Sequence, residues 1–478
     1  MKNIAFKTIV ELKKLLNDGE ISHEELLNYF INRAEQHKDL GAVLETFNKD
    51  SILNNFKSLG SLAAIPGYIK DNICQKDRVT SCASKILEDF KPTYDATVVS
   101  RLQQAGSFLI GRTNMDEFAM GSSGETSAFF KTKNPWNQEH VPGGSSSGSA
   151  AAVAAGLAPW ALGSDTGGSV RQPAGFCGIV GLKPTYGLVS RYGLIAYGSS
   201  LDTVGIFSRT AYDNALILSE IAGHDMKDSS SLSVQKKDYT QKLDGTLKKD
   251  LTIGIIEDAL EAEGLNPEVR STVEDAIKVY EEMGAKVKRV RIKSLSYCAA
   301  SYFIISRAEA ASNLARFDGV RYGMREKESS LIEMYNKTRH DGFGKEVKAR
   351  IMVGNYVLSA GHAGQFYDNA QRVRRAIRKE LQDAFRNVDV LIMPSQSAPA
   401  FKIGQFDDNK LEMDLQDYFT APVNLTGVPA LSIPIGFSKA NLPIGMQLIG
   451  PNLSEGLLYQ TAHAYQEKTD WHKKHPEI

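Results

Sequence analysis

The chain has 478 residues, 42% of them apolar and 23% charged, with Lys plus Arg and Asp plus Glu equal at 56 each. That length allows one large α/β domain or two or three smaller ones, and the composition excludes disordered, collagen-like and disulfide-framework classes. A formal net charge of zero argues against a chain that grips a phosphate backbone by itself, so any nucleic-acid role would be lent by a partner.

Residues 8–16 and 22–36 predict two helices, the second opened by a capping box of Ser22 with Glu25. Residues 1–16 carry charge throughout and lack the long apolar segment of a secretory signal. Strands follow at 42–47 and 65–69, and Lys70-Asp71-Asn72 comes directly after the second, where an α/β sheet usually meets its ligand. Asp95 is expected to cap a helix through Gln104 that Gly106 stops, and 107–111 makes the next strand. A long polar loop, 114–142, leads into 141–171, VPGGSSSGSAAAVAAGLAPWALGSDTGGSVR. Here an alanine-rich helix and a short apolar strand separate two serines, Ser145 and Ser169, each directly after Gly-Gly. Fourteen of the chain's 40 glycines fall between Gly143 and Gly205, which concentrates close approach of bare main-chain N–H groups in this region.

Beyond Arg171 the pattern predicts short Gly-punctuated strands to Phe207, a helix over 210–223 and a Ser/Lys/Asp-rich surface excursion over 224–249. A strand at 251–256, a helix capped by Asn266-Pro267 and a strand at 285–292 follow. Residues 297–387 read as almost wholly helical, and strand signals return at 389–394, 430–435 and 445–450 before a helix from Ser454. Three regions are expected: an N-terminal helical segment (1–60), a core (55–225) and a helical cap (294–387) inserted before the C-terminal strands. The longest apolar run, 150–162, is too short and too broken by Gly156 and Pro159 to span a bilayer, so no membrane partner is expected. Cys74, Cys82, Cys177 and Cys298 show no C-x-x-C spacing and read as reduced thiols of a cytosolic protein. Neither they nor the nine histidines have metal-ligand spacing.

A serine hydroxyl beside bare N–H groups is half of an acyl-transfer site, and it needs a base. The pattern G-x-S-x-G occurs at 144–148 around Ser146, but 139–143 is no strand, so the elbow this pattern usually marks is not expected. His140, the only nearby histidine, reads as a loop residue. Lys70 is the other candidate base. Lysine titrates near ~10.4 in water and serves as a base only where burial favours its neutral form, which the apolar approach through Ala64, Ile65, Tyr68 and Ile69 makes possible. Taken singly, Lys70 reads as a solvated strand end and the two serines as loop or cap residues.

Taken together, K-D-N after I-P-x-x-I, G-G-S-S-S-G-S-A, G-S-D-T-G-G-S-V-R-Q-P-A and F-C-G-I-V-G-L-K-P-T closely resemble the amidase signature family, in order and spacing, from Ile65 to Thr185. The resemblance implies one α/β domain over 1–478, with a single large mixed central β-sheet covered by helices and a helical cap. It implies Ser169 as the acyl-forming nucleophile, Ser145 as a bridging serine after a cis peptide, and Lys70 as the base. The N–H groups of Thr166, Gly167, Gly168 and Ser169 would form the oxyanion hole, with Asp165 and Arg171 as struts of that loop.

Outside the signature, GRTNMDEFAMGSSGETS, SRYGLIAYGSSLDTVG, ASNLARFDGVRYG and TAPVNLTGVPALSIPIG resemble one branch of the family, the glutaminase subunits of tRNA-dependent amidotransferases. Such a subunit frees ammonia from glutamine and passes it to a B subunit, which activates Glu-tRNA(Gln) with ATP and Mg, while a small C subunit wraps the pair into a heterotrimer. Glutamine offers an α-carboxylate and an α-ammonium, and the resemblance assigns them to Arg350 and Asp417, with Tyr302 as a third contact. Alone, Arg350 and Asp417 read as surface ion-pair residues.

No Walker A pattern is present, since GLKPT at 181–185 lacks both the loop and the Lys-Ser/Thr end, so no cofactor is expected in this chain and ATP is expected on the partner. The basic run 372–380 reads as a solvated helix face. Three departures from the family pattern stand out: Ser147, Gly175, and the order Pro66-Gly67. The alternatives are a free-standing amidase acting on another small amide, which would not need Arg350 and Asp417, and a non-catalytic assembly subunit, against which the intact Lys70, Ser145 and Ser169 argue.

Overall fold

The computed structural model describes residues 4–54, 56 and 59–478, so residues 1–3, 55, 57 and 58 of the N-terminal segment lie outside it. Its strands are β1 (Val43–Thr46), β2 (Pro66–Lys70), β3 (Phe108–Thr113), β4 (Trp160–Asp165), β5 (Val180–Lys183), β6 (Thr203–Ser208), β7 (Thr252–Ile256), β8 (Lys286–Val290), β9 (Val390–Pro394), β10 (Ala430–Phe437) and β11 (Pro443–Ile449). They form one 11-stranded mixed sheet in the order β1-β3-β2-β4-β6-β5-β10-β11-β9-β7-β8. β2 runs parallel to β3 and β4, and β7 parallel to β8 and β9, while the strands between are antiparallel. Every residue of β2, β4, β5, β6, β9 and β11 is buried, as strands covered by helices on both faces require. At one edge β8 reads KVKRV and exposes Lys286, Lys288 and Arg289, charges that discourage pairing with another chain.

The order Pro66-Gly67 has a packing reason. Gly67 pairs with Trp160 across β2 and β4, and a Cβ there would run into the Trp160 indole. The first two helices, Ile9–Asn17 and His23–Gln36, open with capping boxes, Thr8 with Glu11 and Ser22 with Glu25.

Four expectations change. The helix Thr97–Gln104 is capped by Ala96 without a side-chain bond; Asp95 instead accepts the Lys76 N–H at 2.7 Å. Residues 171–177 form a wholly buried helix, Arg171–Cys177, that ends at left-handed Gly178 (φ 67°); its glycine and proline read as strand punctuation because an all-round buried helix carries no polar face. The helical region is Cys298–Asn313, Leu331–Gly342, Lys345–Leu358 and Tyr367–Ala384, interrupted by irregular backbone over 317–330. Within the basic run, Arg372, Arg375, Arg378 and Lys379 are exposed, but Arg374 is half-buried and donates to Leu425 O at 2.7 Å and to Ser200 Oγ and O at 2.8 and 2.9 Å.

The loop 114–142 is largely buried, with only a short 3-10 turn at Glu117–Ala119. Its own side chains satisfy part of its backbone, Asp116 accepting the N–H groups of Gly124 and Thr126 and Asn134 donating to Val141 O, while Asn134 also ties the loop to Phe176 O. Among the described residues no helix is long and apolar enough to cross a membrane.

Candidate active site

Parallel pairing of β2 with β4 brings the C-terminal ends of both strands to one sheet edge, placing Lys70 beside Ser164 and the loop that begins at Asp165. Lys70 is 0% exposed. Its Nζ lies 2.8 Å from Ser145 Oγ, 2.9 Å from Ser146 Oγ and 2.9 Å from Ser164 Oγ. Burial lowers its pKa to about 7, against the opposing pull of Asp116, Asp165 and Asp202, so at neutral pH the amine is substantially uncharged. Ser146 donates its proton to Ser164 O at 3.1 Å, and Ser164 Oγ accepts from Asn72 at 2.9 Å. A neutral amine that donates to these two hydroxyls turns its lone pair toward the third, Ser145.

The Gly144–Ser145 peptide is cis. Gly144 N–H donates to Gln172 Oε1 at 3.1 Å, and Ser145 O accepts from Asp116 N at 3.1 Å. The main chains of the two serine stretches are joined by Ser146 N donating to Ser169 O at 3.2 Å. Ser169 Oγ makes no hydrogen bond with a described residue, and Ser169 is 6% exposed while Ser145 is fully buried. The outer hydroxyl is therefore the one within reach of a ligand.

Asp165 and Arg171 hold the loop between them. All five guanidinium N–H groups of Arg171 are used: on Asp165 Oδ2 and Oδ1 (3.0 and 2.9 Å), Thr420 O (3.0 Å), Gln447 Oε1 (2.8 Å) and Asn424 Oδ1 (2.6 Å). Burial works against the Asp165 charge, yet Arg171 holds the carboxyl below its usual range. Gly168 departs from the oxyanion set that the family resemblance implies. Gly168 N–H donates to Asp165 Oδ1 at 3.0 Å, so it belongs to the brace, while the N–H groups of Thr166, Gly167 and Ser169 have no partner among the described residues. Gly167 O accepts from Thr420 Oγ1 at 2.5 Å, and a Cβ at Gly167 would strike the Tyr302 ring, which lies directly over it.

Arg350, on the helix Lys345–Leu358, and Asp417 are both nearly buried. Neither is a surface ion-pair residue. Arg350 donates Nε to Glu346 at 2.8 Å and Nη1 to Tyr197 Oη at 2.8 Å, leaving Nη2 3.9 Å from Asp414. Asp417 accepts from Ser122 Oγ at 3.0 Å, and burial pushes its carboxyl up to about 7 despite Arg350 nearby. A fixed guanidinium and a carboxylate poised to ionise near pH 7 suit an amino-acid substrate.

The departures Ser147 and Gly175 are local exchanges of volume. The Ser147 side chain occupies the place of a Cβ at Gly124, which would lie 2.5 Å from Ser147 Cβ, and a Cβ at Gly175 would meet Gln396 Oε1. His140 pairs with Lys402 in an isolated bridge and hydrogen-bonds to no serine side chain. Sequence reasoning missed Ser146 and Ser164 as partners of Lys70, and Tyr197 as partner of Arg350. The only signal for Ser164 is a polar residue within the apolar strand WALGSD; for Tyr197 there is none.

The profile of the amidase family matches residues 25–459. In Halothermothrix orenii, the A subunit of glutamyl-tRNA(Gln) amidotransferase is 50% identical over 474 residues, 98% of this chain and 99% of its own. Among solved structures, the corresponding A subunit of the Thermotoga maritima glutamyl-tRNA(Gln) amidotransferase matches with a TM-score of 0.84 at 40% identity, over 98% of this chain and 96% of that one. A peptide amidase in complex with the competitive inhibitor chymostatin matches with a TM-score of 0.85 at 29% identity, over 99% of both chains.

Proposed function

The chain belongs to the amidase family, and from that premise we propose that it is the glutamine-hydrolysing subunit of a glutamyl-tRNA(Gln) amidotransferase. The observation that carries the chemistry is the fully buried Lys70 amine, 2.8 Å from Ser145 Oγ with a pKa lowered to about 7. Neutral Lys70 takes the Ser145 proton as Ser145 takes the proton of Ser169, and Ser169 Oγ bonds to the γ-carboxamide carbon. The Ser145–Ser169 leg of this relay forms with substrate in place, as catalytic hydrogen bonds often do. The main-chain N–H groups of Thr166, Gly167 and Ser169 receive the developing oxyanion, each such donor being worth roughly 10²–10³ in rate. The proton returns from Lys70 through Ser145 to the nitrogen, the C–N bond breaks, and ammonia leaves. Water then attacks the glutamyl ester with the same relay, releasing glutamate.

Arg350 binds the α-carboxylate, Asp417 the α-ammonium, and Tyr302 closes the pocket over Gly167. Ammonia passes to a B subunit that activates Glu-tRNA(Gln) with ATP and Mg, in a cytoplasmic heterotrimer completed by a C subunit. The reading is supported by the pairing of a buried cation with a buried carboxylate, which a general amidase does not need, and by relatives of the same name along almost the whole chain.

The test is ammonia release from glutamine by the complex. Ser169→Ala is expected to abolish it while amidation with added ammonium salt survives; residual glutamine hydrolysis in that variant would refute the assignment. Turnover of simple amides with none of glutamine would point to a free-standing amidase.

A further inference from the structure

Asp202, in the loop that enters β6, carries no proton in the relay and acts on Lys70 only through its charge, yet it touches both halves of the site. Its Oδ1 accepts the Thr166 hydroxyl at 2.6 Å, at the residue that opens the oxyanion loop. Its Oδ2 accepts the Tyr197 N–H at 2.9 Å, and both oxygens accept the Gly198 N–H at 3.1 Å. Tyr197 in turn receives Arg350 Nη1 on its phenol oxygen at 2.8 Å. The carboxylate is 3% exposed. Burial raises its pKa to about 6, against its hydrogen bonds and Arg191, so it is ionised at neutral pH and accepts through both oxygens.

Elsewhere the loop is anchored by Asn424 Nδ2 on Asp165 O at 3.2 Å, by Thr420 on Gly167 O, by Asp165 on Gly168 N–H and by Ser146 N–H on Ser169 O. Among the described residues Asp202 is the hydrogen-bond partner of the Thr166 side chain, and it shares the Tyr197 main chain with Asn313, which donates to Tyr197 O at 3.1 Å. We propose that Asp202 is a positioning residue that sets the Thr166 oxyanion donor and the Tyr197–Arg350 carboxylate clamp relative to each other, so that substrate binding and carbonyl polarisation are aligned by one buried anion. The inference rests on the glutaminase reading, since it assumes that Arg350 holds the substrate carboxylate.

A general structural role would lower the amount of active enzyme; a positioning role changes kcat and KM in a defined way. We would measure glutamine hydrolysis by the assembled complex carrying wild-type chain, Asp202→Asn, Tyr197→Phe, Thr166→Val and the Asp202→Asn/Tyr197→Phe double variant. Asp202→Asn is expected to lower kcat/KM about tenfold or more, the usual consequence of weakening hydrogen bonds to a charged group. Its rise in KM should vanish in the Tyr197→Phe background while its fall in kcat persists, because only the KM part travels through the phenol. Thr166→Val should lower kcat with little change in KM.

Kinetics of Asp202→Asn within twofold of wild type, or KM effects of Asp202→Asn and Tyr197→Phe that simply multiply, would overturn the proposal. Should Asp202→Asn fail to fold, an unchanged kcat in Thr166→Val overturns it equally. A wild-type complex that releases no ammonia from glutamine overturns the glutaminase reading together with this one; wild-type turnover with an unaltered Asp202→Asn variant overturns only the role of Asp202.

Discussion

Replacing Lys70 with methionine tests whether the amine is neutral in the folded protein. Unfolded, a lysine holds its proton to about 10.4; folded, Lys70 loses it near pH 7, burial being the main cause. Between these values the unfolded chain binds more protons than the native one, so the wild type gains stability as pH rises from about 7 toward 10, at nearly ~1.4 kcal/mol per pH unit. The variant lacks this dependence, whereas Lys183, likewise buried with a pKa lowered to about 7, contributes equally to both and cancels. From pH 7.5 to 9, wild type minus Lys70→Met should rise by about 2 kcal/mol. Guanidinium unfolding of both chains at several pH values, with kinetic amplitudes recorded to establish reversibility, measures it. A difference that stays flat over that range would mean that Lys70 keeps its proton in the folded state, and a protonated ammonium cannot take the proton of Ser145.

The same titration should appear in catalysis. The kcat for glutamine hydrolysis is expected to increase with pH through about 7 as Lys70 becomes neutral. KM should fall over the same range as Asp417 ionises, and Asp417→Asn should raise KM and remove its pH dependence; initial rates between pH 6 and 9 decide this, and a KM that still falls with pH in the variant would refute the role of Asp417. Arg171→Leu should cost about 3–5 kcal/mol in denaturant unfolding, since it leaves the buried Asp165 carboxylate without its cation; a loss below about 1 kcal/mol would show that Asn424 and the loop N–H groups suffice.

The strands were legible where apolar runs are bounded by turn residues: 65–69 corresponds to Pro66–Lys70 and 389–394 to Val390–Pro394. The helix Arg171–Cys177 was not, because a segment buried on every side has no amphipathic period. Lys70, Ser145 and Ser169 stood out only as members of one long motif, and their convergence comes from strand pairing across about 75 to 100 residues, which no local pattern encodes. Gly168 shows the limit of reading a loop by type: a glycine after a strand suggests a free N–H, but whether a carboxylate three residues earlier turns back onto it is decided by Arg171, Asn424 and the space between them. Asp202 and Tyr197 were visible as parts of a run without an assigned role, since their partners Thr166 and Arg350 lie on other elements.

The pairing of β2 with β4 sets Ile69 opposite Leu162. Slipping β2 by one residue would displace Lys70 by about 3.3 Å and turn its side chain to the opposite face of the sheet. Turnover therefore doubles as a gauge of strand alignment: after unfolding and renaturation, the fraction of ammonia-releasing activity regained counts the molecules in which these two ribbons have met in register, a quantity that circular dichroism, blind to a one-residue slip, would miss.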